Sequence, residues 1–175
     1  MITLGVNSVL FGAFDFATAC KHIAAAGYKG VEISAIKGMC EHLDLDAWKA
    51  QAGDLRKIGE DCKVKFTAME VASLDEERLM KAFEAGAGIG VPVINIGPGG
   101  KSGVEEDLAK SIDTIAKLAG KAQPFGVTLC VKAHVGAAIY NTPTTLKAME
   151  KIASPAFGID MDPSHIYRAG ENPAQ

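Results

Sequence analysis

The sequence lacks the features that would mark a membrane, secreted or nucleic-acid-binding protein. No apolar run reaches the roughly 20 residues that a membrane-spanning helix requires. The first residues, MITLGVNS, have neither the basic start nor the long apolar middle of a signal peptide, and they predict a strand instead. The net charge is −3 and no block of like charges occurs, which disfavours a nucleic-acid or membrane-surface partner.

Cysteines are few and scattered. Cys20, Cys40, Cys62 and Cys130 form no CxxC pair, so we expect reduced, mostly buried thiols and a cytoplasmic location. The chain has 175 residues, 48% of them hydrophobic, which is enough for one domain with a substantial core. No linker or low-complexity segment interrupts it, so we expect residues 1–175 to form a single domain.

Short β-rich runs alternate with helical patterns along the whole chain. Six runs predict strands, at 2–7, 30–34, 64–69, 92–97, 127–133 and 157–161. The clearest helical pattern spans 104–122, and Asp15, Asp46 and Asp75 stand at predicted helix starts. Strands that recur about every 30 residues predict parallel pairing through right-handed crossovers.

The two faces of the predicted strands differ in polarity. Leu129 and Val131 oppose Cys130 and Lys132, for example. An open doubly wound sheet carries helices on both faces and would need both to be apolar. A barrel packs its outside on helices, and its inside opens into a polar mouth. The sequence therefore predicts an α/β fold of the (β/α) TIM-barrel type.

The chain is short for a complete barrel. Eight units need roughly 250 residues, whereas six strands are predicted here. We therefore expect a barrel truncated after strand six of eight, with its C-terminal units missing. The first and sixth strands would then expose unpaired edges, which a second copy of the chain could cover as a homo-oligomer.

Polar side chains gather near the end of the chain, in the stretch GIDMDPSH. Strand alternation puts Asp160 and Asp162 on one side, and a proline turn can swing His165 back over the strand end. A carboxylate beside an imidazole suits a divalent cation or an acid–base pair. The alternative is that Asp162 caps the turn by accepting loop N–H groups.

Five more residues are predicted to face the interior from other strands. A buried lysine must be paired, so Lys132 is either a structural partner of the two aspartates or a catalytic group with a tuned pKa. His134 either binds substrate or metal, or holds a loop. Glu32 is a candidate catalytic or substrate-orienting residue, with a salt bridge as the alternative. Asn7 and Asn95 could contact substrate hydroxyls.

Four stretches, GYKGVEIS, GVPVINIGPGG, VTLCVKAHVGAAIYNTPTTLKAM and FGIDMDPSHIYRAG, resemble the xylose isomerase-like TIM-barrel superfamily. Within it, the chain is most similar to bacterial proteins called sugar phosphate isomerases/epimerases. The resemblance implies a divalent metal, such as Mn, Zn, Mg or Co, held by four side chains. These are a glutamate at the end of strand five, the aspartate of a D-x-x-H motif after strand six, a histidine from strand seven and a glutamate from strand eight.

This chain departs from that ligand set. Asp162 and His165 match the D-x-x-H motif and are the candidate metal residues, but Lys132 stands where the strand-five glutamate is expected. The last two ligands would lie beyond Gln175, so the metal site is incomplete in this chain. The ammonium of Lys132 could take over the electrostatic role of the metal, or its amine could form a Schiff base.

The resemblance implies a sugar or sugar-phosphate isomerase or epimerase that moves a proton next to a carbonyl, with metal assistance in the complete protein. The catalytic candidates are Glu32, Lys132 and Asp162. The substrate-binding candidates are Asn7, Asn95, His134 and His165. One alternative is an inactive fragment or binding domain of the same fold. An endonuclease IV-like repair enzyme is disfavoured, because the chain has only 4 histidines and a net charge of −3.

Overall fold

Seven strands form the sheet in the computed structural model, which describes residues 2–174. Their bounds are β1 Gly5–Asn7, β2 Gly30–Ile36, β3 Cys40–Glu41, β4 Lys65–Glu70, β5 Val93–Ile96, β6 Thr128–Lys132 and β7 Phe157–Asp160. The order β1-β2-β4-β5-β6-β7 places each parallel strand beside the next one in the chain, and β3 pairs antiparallel with β2. A doubly wound sheet would reverse its order at a switch point, so the predicted TIM-barrel-type fold is confirmed.

The sheet does not close on itself within residues 2–174. At the two ends of the strand order, β1 pairs only with β2 and β7 pairs only with β6. The expected open edges are therefore present, while their coverage by a second copy stays a prediction.

The helices connect successive strands. They are α1 Phe16–Ala25, α2 Trp48–Cys62, α3 Glu76–Ile89, α4 Glu105–Ala122, α5 Thr142–Lys151 and α6 Pro163–Arg168, with short 3₁₀ turns at Ser8–Phe11 and Gln123–Phe125. Asp15 and Asp75 cap α1 and α3 as predicted. Asp46 lies near the start of α2 as predicted but does not cap it, since the N-cap is Ala47 and Asp46 pairs with Lys81 at 2.7 Å. No helix within residues 2–174 is both long enough and apolar enough to cross a membrane.

Two of the predicted strands differ from the observed ones by more than one residue at an end. The predicted strand 2–7 is shortened to β1, because this edge strand has a neighbour on one side only; Ile2 and Leu4 are 89% and 68% exposed. The predicted strand 30–34 continues to Ile36, because the chain turns back and Ala35 pairs with Glu41. The two residues of β3 are too few to produce an alternation signal, so β3 was missed.

The core lies between the sheet and its helices. Val31, Ile33, Ile94, Leu129 and Val131 are fully buried on the helix side of the strands. They belong to one cluster with helix residues such as Ile23, Leu79, Phe83 and Ile115. Burial of these side chains drives the sheet and helices together and leaves the alternate positions of each strand facing the barrel interior.

A candidate active site in the barrel interior

Six polar side chains meet in the interior near the carboxyl ends of six parallel strands. The sheet register pairs Asn7 with Glu32, Glu70 with Asn95, and Lys132 with Asp160. Because the strands are parallel, their carboxyl ends share one rim, which is where barrel enzymes place their chemistry. The name interior cluster is used below for the six residues Asn7, Glu32, Glu70, Asn95, Lys132 and Asp160.

Glu32 lies between two carboxamides. Asn7 Nδ2 donates to Oε2 of Glu32 at 2.9 Å, and Asn95 Nδ2 donates to Oε1 at 2.7 Å. Burial raises the pKa of Glu32; the Asn95 hydrogen bond and the charge of Lys132 oppose this rise, while the charges of Glu70 and Asp160 add to it. A carboxyl group with a raised pKa is a better base than an exposed one, so Glu32 is suited to accept and return a proton.

Lys132 is held by two acids. Its Nζ donates to Oε2 of Glu70 at 2.8 Å and lies 3.4 Å from Oδ2 of Asp160. Burial works against the charge, but the hydrogen bond from Lys132 to Glu70 and the charges of Glu70, Asp160 and Glu32 outweigh it and raise the pKa of Lys132. Lys132 therefore stays an ammonium, which favours an electrostatic role over Schiff-base formation, since the latter needs a neutral amine.

Sequence reasoning missed Glu70, which is 6% exposed and contacts Asn7 Nδ2 at 3.5 Å as well as Lys132. The predicted strand stopped at residue 69, one position short of it. The register also shifts between Val31 and Glu32 against β4, which aligns Ala68 with Glu32. The sequence did contain a signal for it, because Glu70 follows Ala68 by two positions and strand alternation therefore puts both on the same face.

Asp162, His165 and His134 form a second group at the mouth of the barrel. Oδ1 of Asp162 accepts Ser164 N–H at 2.9 Å and Ser164 Oγ–H at 2.6 Å, so Asp162 caps α6. His165 Nε2 lies 3.9 Å from Asp162 Oδ2, and the rings of His134 and His165 contact each other at a tilt of 37°, with centroids 4.1 Å apart. Burial and the neighbouring His134 lower the pKa of His165, which therefore favours the neutral imidazole.

The mouth group does not fit a divalent metal by itself. Across residues 2–174, no three His, Cys, Asp or Glu side chains come together in a way that could hold a metal ion. Asp162 and His165 supply two donors, and His134 does not complete a set of three with them, whereas catalytic zinc sites use three protein ligands. Lys132 occupies the position of the expected glutamate with a positive charge, which repels a cation.

The sequential parallel strands and the polar interior define a (β/α)-barrel protein with its candidate site at the carboxyl ends of the strands. The model of the family described as xylose isomerase-like TIM barrel matches residues 20–175. The chain belongs to this family, and the resemblance seen in its motifs is confirmed.

Solved structures share the fold at low sequence identity. The probable 3-DHS dehydratase AsbF from Bacillus anthracis is 13% identical with a TM-score of 0.82, over 98% of this chain and 67% of that one. The IolI protein with a binding zinc atom is 18% identical with a TM-score of 0.79, over 98% and 66%. D-psicose 3-epimerase, solved in the presence of D-fructose, is 13% identical with a TM-score of 0.76, over 94% and 64%.

The chain thus spans about two thirds of the length of these structures. No curated protein sequence matches it significantly. At identities this low the likeness to these structures establishes the fold alone.

Proposed function

We propose that the interior cluster carries out proton transfer next to the carbonyl of a sugar, as an isomerase or epimerase, in a cytoplasmic protein. The observation that carries this proposal is a half-buried carboxyl with a raised pKa, Glu32, in the same interior as a fixed ammonium, Lys132. Membership of the xylose isomerase-like family and the likeness to a D-psicose 3-epimerase support it.

The residues divide the work as follows. Glu32 removes the proton from the carbon next to the carbonyl and returns it to the product. Lys132 stabilises the negative charge that develops on the carbonyl oxygen, as a positioned cation does in such reactions. Asn7 and Asn95 orient the Glu32 carboxylate through their amide donors. His134 and His165 bind substrate hydroxyls at the mouth, where Asp162 fixes α6 and the backbone of His165.

Deuterium exchange tests this proposal without knowledge of the product. The protein is incubated in D₂O with a panel of ketoses and inosose-type cyclitols, and NMR follows exchange at the carbon next to the carbonyl. We expect exchange with at least one compound, and a loss of about 100-fold to 1,000-fold in Glu32→Gln, because general-base catalysis is worth that much. The matched control is Glu84→Gln, which alters an exposed acid of α3. Absence of exchange across the panel, or an unchanged rate in Glu32→Gln, would refute the proposal.

A non-catalytic binding domain is the second candidate. The fully paired carboxylate of Glu32 favours it, since both of its oxygens already accept a hydrogen bond. This alternative predicts that a compound of the same panel binds in calorimetry and shows no exchange in D₂O.

A further inference from the structure

We infer that the interior cluster selects a cationic, donor-rich ligand, namely an amino sugar or amino polyol, and disfavours a phosphorylated or otherwise acidic sugar. The inference rests on the proposed function only for the location of the site. Two independent features of the interior carry it, one of charge and one of hydrogen bonding.

The first feature is an excess of negative charge. Glu32, Glu70 and Asp160 face a single ammonium, that of Lys132, among the cluster residues. If Glu32 binds a proton, two carboxylates still share one lysine. Both of them already pair with that lysine, so the acids would repel a phosphate group with up to two negative charges more strongly than the shared ammonium attracts it.

The second feature is a buried acceptor without a donor. Asn95 is 6% exposed, and its Nδ2 donates into the interior at Glu32. Within residues 2–174 the carbonyl oxygen Oδ1 of Asn95 is buried and accepts no hydrogen bond. A buried acceptor that lost its water on folding gains most from a ligand that donates.

Both features demand the same ligand chemistry. An ammonium substituent brings three N–H donors and a positive charge, and a neutral hydroxyl brings one donor without charge. A phosphate brings acceptor oxygens and negative charge, which the interior already has in excess. The expected order of affinity is therefore amino ketose, then neutral ketose, then ketose phosphate.

Calorimetry with three ligands of one carbon skeleton tests this order. The probes are 1-amino-1-deoxyfructose, fructose and fructose 1-phosphate, titrated into the whole chain at pH 7 and constant ionic strength. We expect the amino compound to bind about tenfold more tightly than fructose, which corresponds to about 1.4 kcal/mol. We expect the phosphate to bind more weakly than fructose.

Variants test whether the interior carboxylates cause this order of affinity. Asp160→Asn removes one of the three carboxylates with little change of shape and should reduce the preference for the amino compound. Asp113→Asn, on the exposed face of α4, is the control and should preserve it. Thermal unfolding of each variant confirms that the fold is kept.

The inference is overturned if the phosphate binds best, if none of the three compounds binds, or if Asp160→Asn leaves the preference unchanged. Failure of the proposed function gives a different pattern. The affinity order would then hold while no compound of the exchange panel exchanges in D₂O.

Discussion

The interior cluster and the mouth group both contain carboxyl groups, but the surroundings of these groups shift their pKa values in opposite directions. In the interior, hydrogen bonds join residues 25 to 63 positions apart, and burial raises the pKa of Glu32. At the mouth, Asp162 bonds Ser164 and His165, two and three positions away. Burial alone would raise the pKa of Asp162, but these bonds outweigh it and lower the pKa. Glu32, whose partners are brought to it by the sheet register, is therefore suited to exchange a proton, whereas Asp162, held within a local turn, stays ionised.

The largest effect is expected for removal of the interior cation. Lys132→Met leaves Glu70 and Asp160 partly buried without their partner, so we expect a loss of about 3 kcal/mol in the free energy of unfolding. Urea denaturation at pH 7 measures it. Lys49→Met is the control, because Lys49 is 76% exposed and its Nζ lies 3.9 Å from Glu84. Equal stability of Lys132→Met and wild type would show that the interior acids do not depend on the lysine.

The fold was readable from the sequence because strand spacing and alternation depend on neighbours along the chain. The same alternation predicted that Asn7, Glu32, Asn95 and Lys132 lie on one side. In the structure Asn7 and Asn95 donate to Glu32, while Lys132 pairs with Glu70 and Asp160. The sequence could not predict which acid pairs most closely with Lys132. The shift in register at Val31 and Glu32 and the one-residue extension of β4 decide that Glu70 is the closer partner, and both arise from tertiary pairing.

A smaller effect, of opposite sign, is expected when the interior acid is neutralised. The pKa of Glu32 is raised above its ordinary 4.5, so the folded state holds a proton that the unfolded state releases. Stability should therefore fall as the pH rises from 4.5 through the raised pKa. Glu32→Gln removes this cost, and its amide N–H can pair with Oδ1 of Asn95 after a flip of that carboxamide. We expect Glu32→Gln to be about 1 kcal/mol more stable than wild type at pH 7.

Unfolding curves of wild type and Glu32→Gln between pH 4.5 and pH 8 measure this difference. It should grow with pH and then level off once Glu32 is ionised in the folded state. A difference that shrinks as the pH rises would contradict the raised pKa of Glu32.

At the mouth of the barrel, the stability depends on pH in the opposite direction. The pKa of Asp162 is lowered below 3.8, so its contribution is present above that pH and is lost as the pH falls through the lowered pKa. Asp162→Ala removes the cap of α6 and should cost about 1 kcal/mol at pH 7. Asp162→Asn keeps an acceptor for Ser164 and should cost only a few tenths of that. Thermal unfolding compares the two; equal losses would mean that the cap is not what Asp162 contributes.

The smallest effect in the wild-type chain is expected for metal. Asp162 and His165 offer two donors, and Lys132 opposes a cation from the neighbouring strand end, so chelation followed by addition of Mn²⁺ or Zn²⁺ should change the melting temperature by less than about 1 °C. Metal analysis of the purified protein should find a substoichiometric amount of metal.

The Lys132→Glu variant tests the role of the lysine in this exclusion, because it replaces the repelling charge with the carboxylate that the family resemblance leads one to expect at this position. This variant should bind Mn²⁺ where wild type does not, and a further Asp162→Ala change should abolish the binding. Stoichiometric metal in the wild type, lost in Asp162→Ala, would instead make the mouth group the metal centre and reduce Lys132 to a structural partner of Glu70.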